Sequence, residues 1–160
     1  MSTFPLTTGE LADRLCIAAR DWLVGSPIAF CFAGPDRTVW SSFRQDGTDA
    51  VSPALAAYKA FTALDWGRST EDLGEMTGST IGDVRAAGVR FIARPGGVVV
   101  IDGEGGTLGA IGISAVNGEG EHALAVAIIR SVMHELVDDA EWWDGEARRE
   151  IDRRYALPGG

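Results

Sequence analysis

The stretch RPGGVVVIDGEGGTLGAIGIS, residues 94–114, carries the clearest strand signal in the chain. Two runs, 98–101 and 107–114, are rich in residues that favour strands, and they flank a glycine-rich segment, 102–106, that suits a tight turn. The stretch therefore predicts a β-hairpin. Its glycines do not form a dinucleotide-binding fingerprint, because that motif requires a strand that turns directly into a helix.

The N-terminal segment predicts a helix followed by a second hairpin. Thr7 and Glu10 have the spacing of a capping box at a helix start, and apolar residues then recur at helical spacing until Gly25. Residues 26–45 contain two runs with strand character around the turn 34–37. We therefore expect an α-β-β unit at this end of the chain.

The segment between the two hairpins predicts mainly helix. Ser52 is suited to be the N-cap and Pro53 the first residue of a helix that runs to Trp66. Residues 68–88 contain two further helix-start signals, which predict short helical turns. Residues 89–93 predict one more strand before the hairpin.

The C-terminal part predicts a last helix and a charged arm. The helix starts near Gly118, and the residues beyond it are strongly charged but include Trp142 and Trp143. We expect a single domain over residues 1–140. Residues 141–160 then form either a frayed tail or a short arm that packs on a neighbouring subunit.

The predicted order of elements defines the fold class. It reads α-β-β-α-(α)-β-β-β-α, with the strands in hairpins rather than alternating singly with helices. Such an order favours a mostly antiparallel sheet with helices packed on it, which is an α+β fold.

Composition excludes several classes of partner. The net charge of −9 and the pI of about 4.6 disfavour binding to nucleic acid and to anionic membranes. The first residues lack the pattern of a signal peptide, and no apolar run reaches the roughly 20 residues that span a bilayer. Cys16 and Cys31 lie in apolar stretches and are expected to be buried free thiols. These features predict a soluble, cytoplasmic protein.

Lys59 is the only lysine among 14 lysine and arginine residues. Its helical neighbours include Leu55, Thr62 and Ala63, so no acid lies one turn away to pair with it. One interpretation is an ammonium that binds an anionic ligand or takes part in acid/base chemistry. The other is a boundary residue whose methylene stem extends to solvent.

Glu121 and His122 fall in the first turn of the last predicted helix. A neutral imidazole is favoured there, because the helix dipole opposes added positive charge. His122 is therefore a candidate general base or iron ligand, and Glu121 a candidate acid/base partner. The alternative is plain capping by Glu121 beside an exposed histidine.

Two further features allow both a functional and a structural interpretation. The segment Arg94-Pro95-Gly96-Gly97 can expose backbone N–H groups to a carboxylate, or it can simply be a bend between strands. His134 lies twelve residues after His122, about 120° away around one helix, so the two histidines do not form a shared metal face. Met133-His134 can offer an iron ligand from another surface or from a second subunit, but Arg130 and Asp138 one turn away favour a solvated, salt-linked helix face. No metal site is predicted.

Two stretches, ALAAYKAFTALDWGRSTEDL (54–73) and the hairpin stretch 94–114, resemble the GlcG/HbpS-like family of heme-binding and heme-degrading-type domains. The first resembles that family's alanine-rich A-x-A-K-A-x-T-A helix, which is followed by an aromatic residue and Gly-Arg. The second resembles its P-G-G strand, turn and G-A-I-G strand. The same domain forms the C-terminal half of PduO-type corrinoid adenosyltransferases.

The resemblance implies a profilin-like fold, in which a central antiparallel sheet of about five strands has helices on both faces. It also implies a homo-oligomer, dimeric or larger, with a small-molecule pocket near a subunit interface. The ligand would be heme, bound non-covalently, or another planar or anionic molecule. The residues that would bind it are Tyr58, Lys59, Arg94, Gly96, Gly97 and His122.

The chain departs from the family pattern close to that pocket. Val99 replaces a usual proline, Ala115 replaces a usual glycine, and Glu121-His122 stands where an acidic pair is usual. These changes leave open a second function, a cofactor-independent isomerase, hydratase or lyase with Lys59, Glu121 and His122 as catalytic groups. A third possibility is a scaffold subunit that docks a partner through the Trp142-Trp143 arm.

Overall fold

The structure is a computed structural model that describes residues 4–75, 88, 91–115, 120–136, 142–143 and 145–157. Helices and strands follow the predicted order through most of this range. Their bounds are α1 Thr8–Trp22, β1 Ile28–Ala33, β2 Val39–Arg44, α2 Ser52–Trp66, α3 Thr70–Glu75, β3 Gly97–Ile101, β4 Thr107–Ala115, α4 Glu121–Glu135 and α5 Gly145–Arg154.

The starts of the first two long helices differ in how they are capped. Thr7 and Glu10 form the predicted capping box, with Glu10 N–H donating to Thr7 Oγ1 at 3.2 Å and Thr7 N–H to Glu10 Oε1 at 3.1 Å. At α2 the expected N-cap Ser52 is itself helical. Asp49 caps this helix instead, because its carboxylate accepts N–H bonds from Val51 and Ser52 at 3.1 and 2.7 Å.

The described strands form one antiparallel sheet in the order β2-β1-β4-β3. Strands β1 and β3 are buried along their whole length, and β4 pairs with β1 through Phe30 and Ile113 and with β3 through Val98 and Ile111. The central antiparallel sheet and the α+β class are therefore confirmed.

The described part of the predicted strand 89–93, residues 91–93, does not belong to this sheet. Residues 91–93 belong to no strand, and residues 89 and 90 lie outside the described part of the chain. Ile92 donates its N–H to Thr62 Oγ1 at 3.1 Å, and the Phe91 ring lies 5.9 Å from that of Trp66. This segment runs along α2, so the sheet has four strands in the described residues where about five were expected.

Helix α2 covers one face of the sheet at very short range. A Cβ on Gly112 of β4 would overlap the carbonyl oxygen of Ala56 and lie 2.9 Å from the amide nitrogen of Ala60. Ala56, Ala60 and Ala63 are fully buried on the facing side of the helix. The alanine-rich sequence of α2 therefore allows its backbone to approach the strands closely.

Helices α1 and α4 cover the opposite face and enclose the main core. Phe30 and Phe32 of β1 point into it, together with Leu15 of α1 and Ile128 of α4. Helices thus lie on both faces of the sheet, as expected for a profilin-like fold. None of the described helices has the length and apolarity needed to cross a membrane.

The C-terminal arm packs on its own chain along the outer edge of β3. Trp142 is buried and donates its indole N–H to Asp102 O at 2.8 Å. The buried Tyr155 hydroxyl donates to Val99 O at 2.6 Å and accepts the N–H of Ile101 at 3.0 Å. The arm therefore satisfies strand-edge groups that would otherwise need another partner.

The contact between α2 and β4 predicts a strong effect of adding one methyl group to the sheet. We expect Gly112→Ala to lower the free energy of unfolding by about 1–3 kcal/mol, because the new Cβ meets backbone atoms that cannot move independently. Urea unfolding followed by circular dichroism measures this change.

Gly9→Ala is the matched control. A Cβ at this α1 position meets only the Trp40 ring at 3.6 Å, so we expect unchanged stability or a gain of up to about 1 kcal/mol from helix propensity. Equal stability of the two variants would contradict the close approach of α2 to the sheet.

Candidate functional site

Lys59 points from α2 into the protein and forms a buried ion pair. Its Nζ lies 2.6 Å from Glu121 Oε2 and donates a second bond to Ile113 O at 2.9 Å. The other oxygen of Glu121 accepts the N–H of Ala115 at 2.6 Å. Lys59 is only 3% exposed and Glu121 2% exposed, so the ammonium does not reach solvent. The pair joins α2, the end of β4 and the start of α4.

The two glycines of the Pro-Gly-Gly segment lie against this lysine. A Cβ on Gly96 would overlap Ile113 O and lie 3.2 Å from Lys59 Cδ, and one on Gly97 would overlap Lys59 O. Gly96 also has a φ of 127°, which L side chains rarely adopt. The two glycines therefore let the backbone of this segment approach the backbones of β4 and α2 closely.

The structure separates the predicted site residues into two groups. Gly96, Gly97 and Glu121 each lie against Lys59 in the interior. Tyr58 is partly exposed on the outer side of α2, where its ring lies 6.2 Å from that of Phe61. Arg94 is exposed beside the glycines. Tyr58 and Arg94 are therefore not brought together with the buried pair.

His122 follows Glu121 in the first turn of α4 and is tied to a second acid. Its Nε2 lies 3.2 Å from Glu71 Oε2, and its Nδ1 is buried without a hydrogen-bond partner. Nε2 therefore faces the Glu71 carboxylate, while Nδ1 faces the interior of the protein. The histidine is about one-quarter exposed, which differs from the freely exposed side chain of the capping alternative.

A cavity of about 420 Å³ opens beside His122 at the outer edge of β3. It lies between the α2–α3 junction, the strand, the start of α4 and the end of the C-terminal arm. Its size falls within the range of known small-ligand sites. The lining residues are Gly67, Arg68, Ser69, Asp72, Val98, Val99, His122, Val126, Arg154 and Tyr155.

The strand edge in this cavity is capped at two points by side chains. In an edge strand, the backbone N–H and C=O groups of alternate residues point toward the neighbouring strand or away from the sheet. Those of Gly97 and Val99 in β3 point away from β4. Thr70 Oγ1 accepts the N–H of Gly97 at 2.8 Å, and the Tyr155 hydroxyl binds Val99 O. Burial raises the pKa of the Tyr155 hydroxyl well above its usual range, so it remains a donor. The outward N–H of Val99 lies between these caps.

The cavity wall combines apolar and charged groups. Three valines provide apolar surface, while Arg68, Arg154 and Asp72 provide two guanidinium groups and one carboxylate. A larger groove of about 620 Å³ lies between the β3–β4 turn and α5, but its wall contains no histidine. In the described part of the chain, no three His, Cys, Asp or Glu side chains are grouped to hold a metal ion.

Several residues of the cavity were not among the sequence candidates. Arg68 follows Gly67 in the Gly-Arg motif of the α2 stretch, so the sequence carried a signal for it. Glu71, the contact of His122, does not line the cavity and lies in one of the two helix-start signals of residues 68–88. Arg154 and Tyr155 lie in the arm, where no local pattern indicates that they meet β3.

The sheet with helices on both faces and a ligand-sized cavity at one edge defines a small α+β domain of the profilin-like class. The chain belongs to the HbpS-like family, since the family model described as haem degrading protein HbpS-like matches residues 7–130. No protein of curated function matches the sequence.

Solved structures support the same fold at low sequence identity. The structure of a PduOC–heme complex has a TM-score of 0.68 and 22% identity, covering 78% of this chain and 92% of that one. The Klebsiella pneumoniae protein ORFY has a TM-score of 0.70 and 19% identity over 83% and 94%. HbpS has a TM-score of 0.67 and 22% identity over 83% and 93%.

The buried ion pair predicts a large energetic coupling between Lys59 and Glu121. We expect Lys59→Met to lower the free energy of unfolding by about 3–5 kcal/mol, because it leaves a buried carboxylate without its cation. Urea unfolding of the variant measures this loss.

The Glu121→Gln background provides the control. A glutamine can still accept the N–H of Ala115 but carries no charge, so Lys59→Met should cost at least about 2 kcal/mol less there. The same cost in both backgrounds would show that the pair contributes through packing alone.

Proposed function

We propose that the chain binds heme, or another planar and anionic small molecule, non-covalently in the cavity at the edge of β3. The observation that carries the proposal is His122, which lies on the cavity wall with Nε2 held by Glu71 and Nδ1 without a partner. Membership of the HbpS-like family supports heme as the ligand to test first.

The residues on the cavity wall fit the chemical parts of heme. Val98, Val99 and Val126 offer apolar contact to the macrocycle, and Arg154 offers a partner for one of its carboxylates. A histidine bonded to a carboxylate through one nitrogen is a common arrangement for a metal ligand. When bound, heme supplies an iron centre capable of redox chemistry.

The surrounding residues have distinct parts in this proposal. Glu71 orients the imidazole and would have to release Nε2 if that nitrogen became the iron ligand. Lys59 and Glu121 act indirectly, because they fix the first turn of α4 from which His122 projects. Gly96 and Gly97 permit the close approach of Lys59 and so belong to the same support.

A hemin titration of the purified protein tests the proposal. We expect a saturable shift of the Soret band in the wild-type protein and its loss in His122→Ala. An unshifted band in the wild-type protein, or an equal shift in the variant, would contradict the role of His122.

His134→Gln is the matched control for this titration. His134 also lies on α4, but it is bonded to Asp152 at 2.9 Å and does not line the cavity. Glutamine retains a donor for Asp152, so we expect wild-type hemin binding in this variant.

The contact between His122 and Glu71 also supports the second candidate, a cofactor-independent acid/base enzyme. A carboxylate that orients a neutral histidine is a common way to prepare a general base. Lys59 and Glu121 are less suited to direct contact with a substrate, since they are buried and bonded to each other.

Proton abstraction can be tested without knowing the substrate. NMR in D₂O measures exchange of the protons next to the carbonyl group in small keto acids such as pyruvate. If the protein is such an enzyme, exchange should be faster with the wild type than with Glu71→Gln or His122→Ala. Equal rates in all three samples would remove this candidate for that substrate class.

The homo-oligomer implied by the family resemblance remains a prediction. Strand β2 forms one edge of the sheet and leaves Val39 and Trp40 about half exposed, so this edge is where a second copy would pair. Sedimentation velocity distinguishes a 16.9 kDa monomer from its multiples.

A further inference from the structure

The C-terminal arm contributes to the cavity although it lies outside the segment that defines the family. The family match ends at residue 130, whereas Arg154 and Tyr155 form part of the cavity wall. We infer that the arm is a ligand-binding element added to the family framework, and that Arg154 binds a carboxylate group of the ligand. This inference rests on the proposed function, because it concerns the ligand of the same cavity.

The arm is held in place on both sides of Arg154. Tyr155 is bonded to β3 through its hydroxyl and to Arg130 through its carbonyl oxygen, which accepts a bond from Nη1 at 3.1 Å. Asp152 bonds to His134 at 2.9 Å and lies 3.6 Å from Arg130. These contacts fix the backbone from which the Arg154 side chain projects.

Arg154 and the neighbouring Arg153 differ in whether their guanidinium groups are paired with an acid. Arg153 makes a bidentate contact with Glu150, at 2.7 Å from Nη2 to each carboxylate oxygen, and lies on the larger groove near the β3–β4 turn. Arg154 has no ion-pair partner among the described residues, and it lines the His122 cavity. Its guanidinium group is thus available to a ligand.

The electrostatics and geometry of the cavity favour a carboxylate at this position. The outward N–H of Val99 offers a backbone donor on the cavity wall that Arg154 also lines. A planar guanidinium group matches a carboxylate through two parallel hydrogen bonds, which gives both affinity and orientation.

Hemin and hemin dimethyl ester test the inference together, since the ester lacks the free carboxylates. We expect Arg154→Met to weaken hemin binding by about tenfold or more, which is the usual loss for a charged hydrogen-bond partner. It should leave binding of the ester unchanged. Arg153→Met, the matched control, should bind both ligands like the wild type. Equal hemin affinity of Arg154→Met and the wild type would overturn the inference.

A probe without a porphyrin separates this inference from the proposed function. Sodium benzoate is added to ¹⁵N-labelled protein, and the arginine Nε–H signals are followed by NMR, with Arg154→Met used to assign the signal of Arg154. A saturable shift of that signal in a protein that does not bind hemin would leave the carboxylate site standing and remove heme as its ligand. The opposite outcome is that the protein binds hemin, benzoate causes no shift, and Arg154→Met has no effect on hemin binding. This outcome would overturn the inference and leave the proposed function standing.

Discussion

The buried ion pair between Lys59 and Glu121 is the interaction on which the site depends. Removing an ammonium and a carboxylate from water costs several kcal/mol for each ion, and the cost is offset only when further hydrogen bonds complete both groups. Here Ile113 O binds the ammonium and Ala115 N–H binds the carboxylate. The pair therefore requires one relative position of α2, β4 and α4, which is the position that places His122 at the cavity.

The same constraint explains why this position holds a lysine in a chain that otherwise uses arginine. The stem of Lys59 passes close to Gly96, where even one added Cβ would lie 3.2 Å from Cδ. An ammonium is a compact head with three donors, whereas a guanidinium group is a wide planar fork. Gly96 leaves room for the lysine stem, and Gly112 lets the alanine-rich face of α2 approach β4, so the glycine-rich and alanine-rich stretches serve one packing arrangement.

Sequence patterns predicted the features that are set by neighbouring residues. The capping box at Thr7, the hairpins and the antiparallel α+β class follow from local propensity and turn chemistry, and all are present. Lys59 and Glu121 were both selected as candidates, but their pairing was not predicted, because they lie 62 residues apart. The strand expected at 89–93 had suitable composition. Its described residues, 91–93, lie instead along α2, where the N–H of Ile92 donates to Thr62.

The C-terminal arm makes contacts that local sequence patterns do not indicate, and these contacts bear on which ligand the cavity accepts. Its sequence is strongly charged and gives no sign that the Tyr155 hydroxyl replaces a strand partner of β3. By occupying that edge, the arm closes one side of a cavity whose other walls come from the segment shared with the family. Residues within the family match thus fix the position of His122, while a segment beyond that match adds a cation to the same space. Ligand preference can then differ from that of other members without any change in the sheet or the buried ion pair.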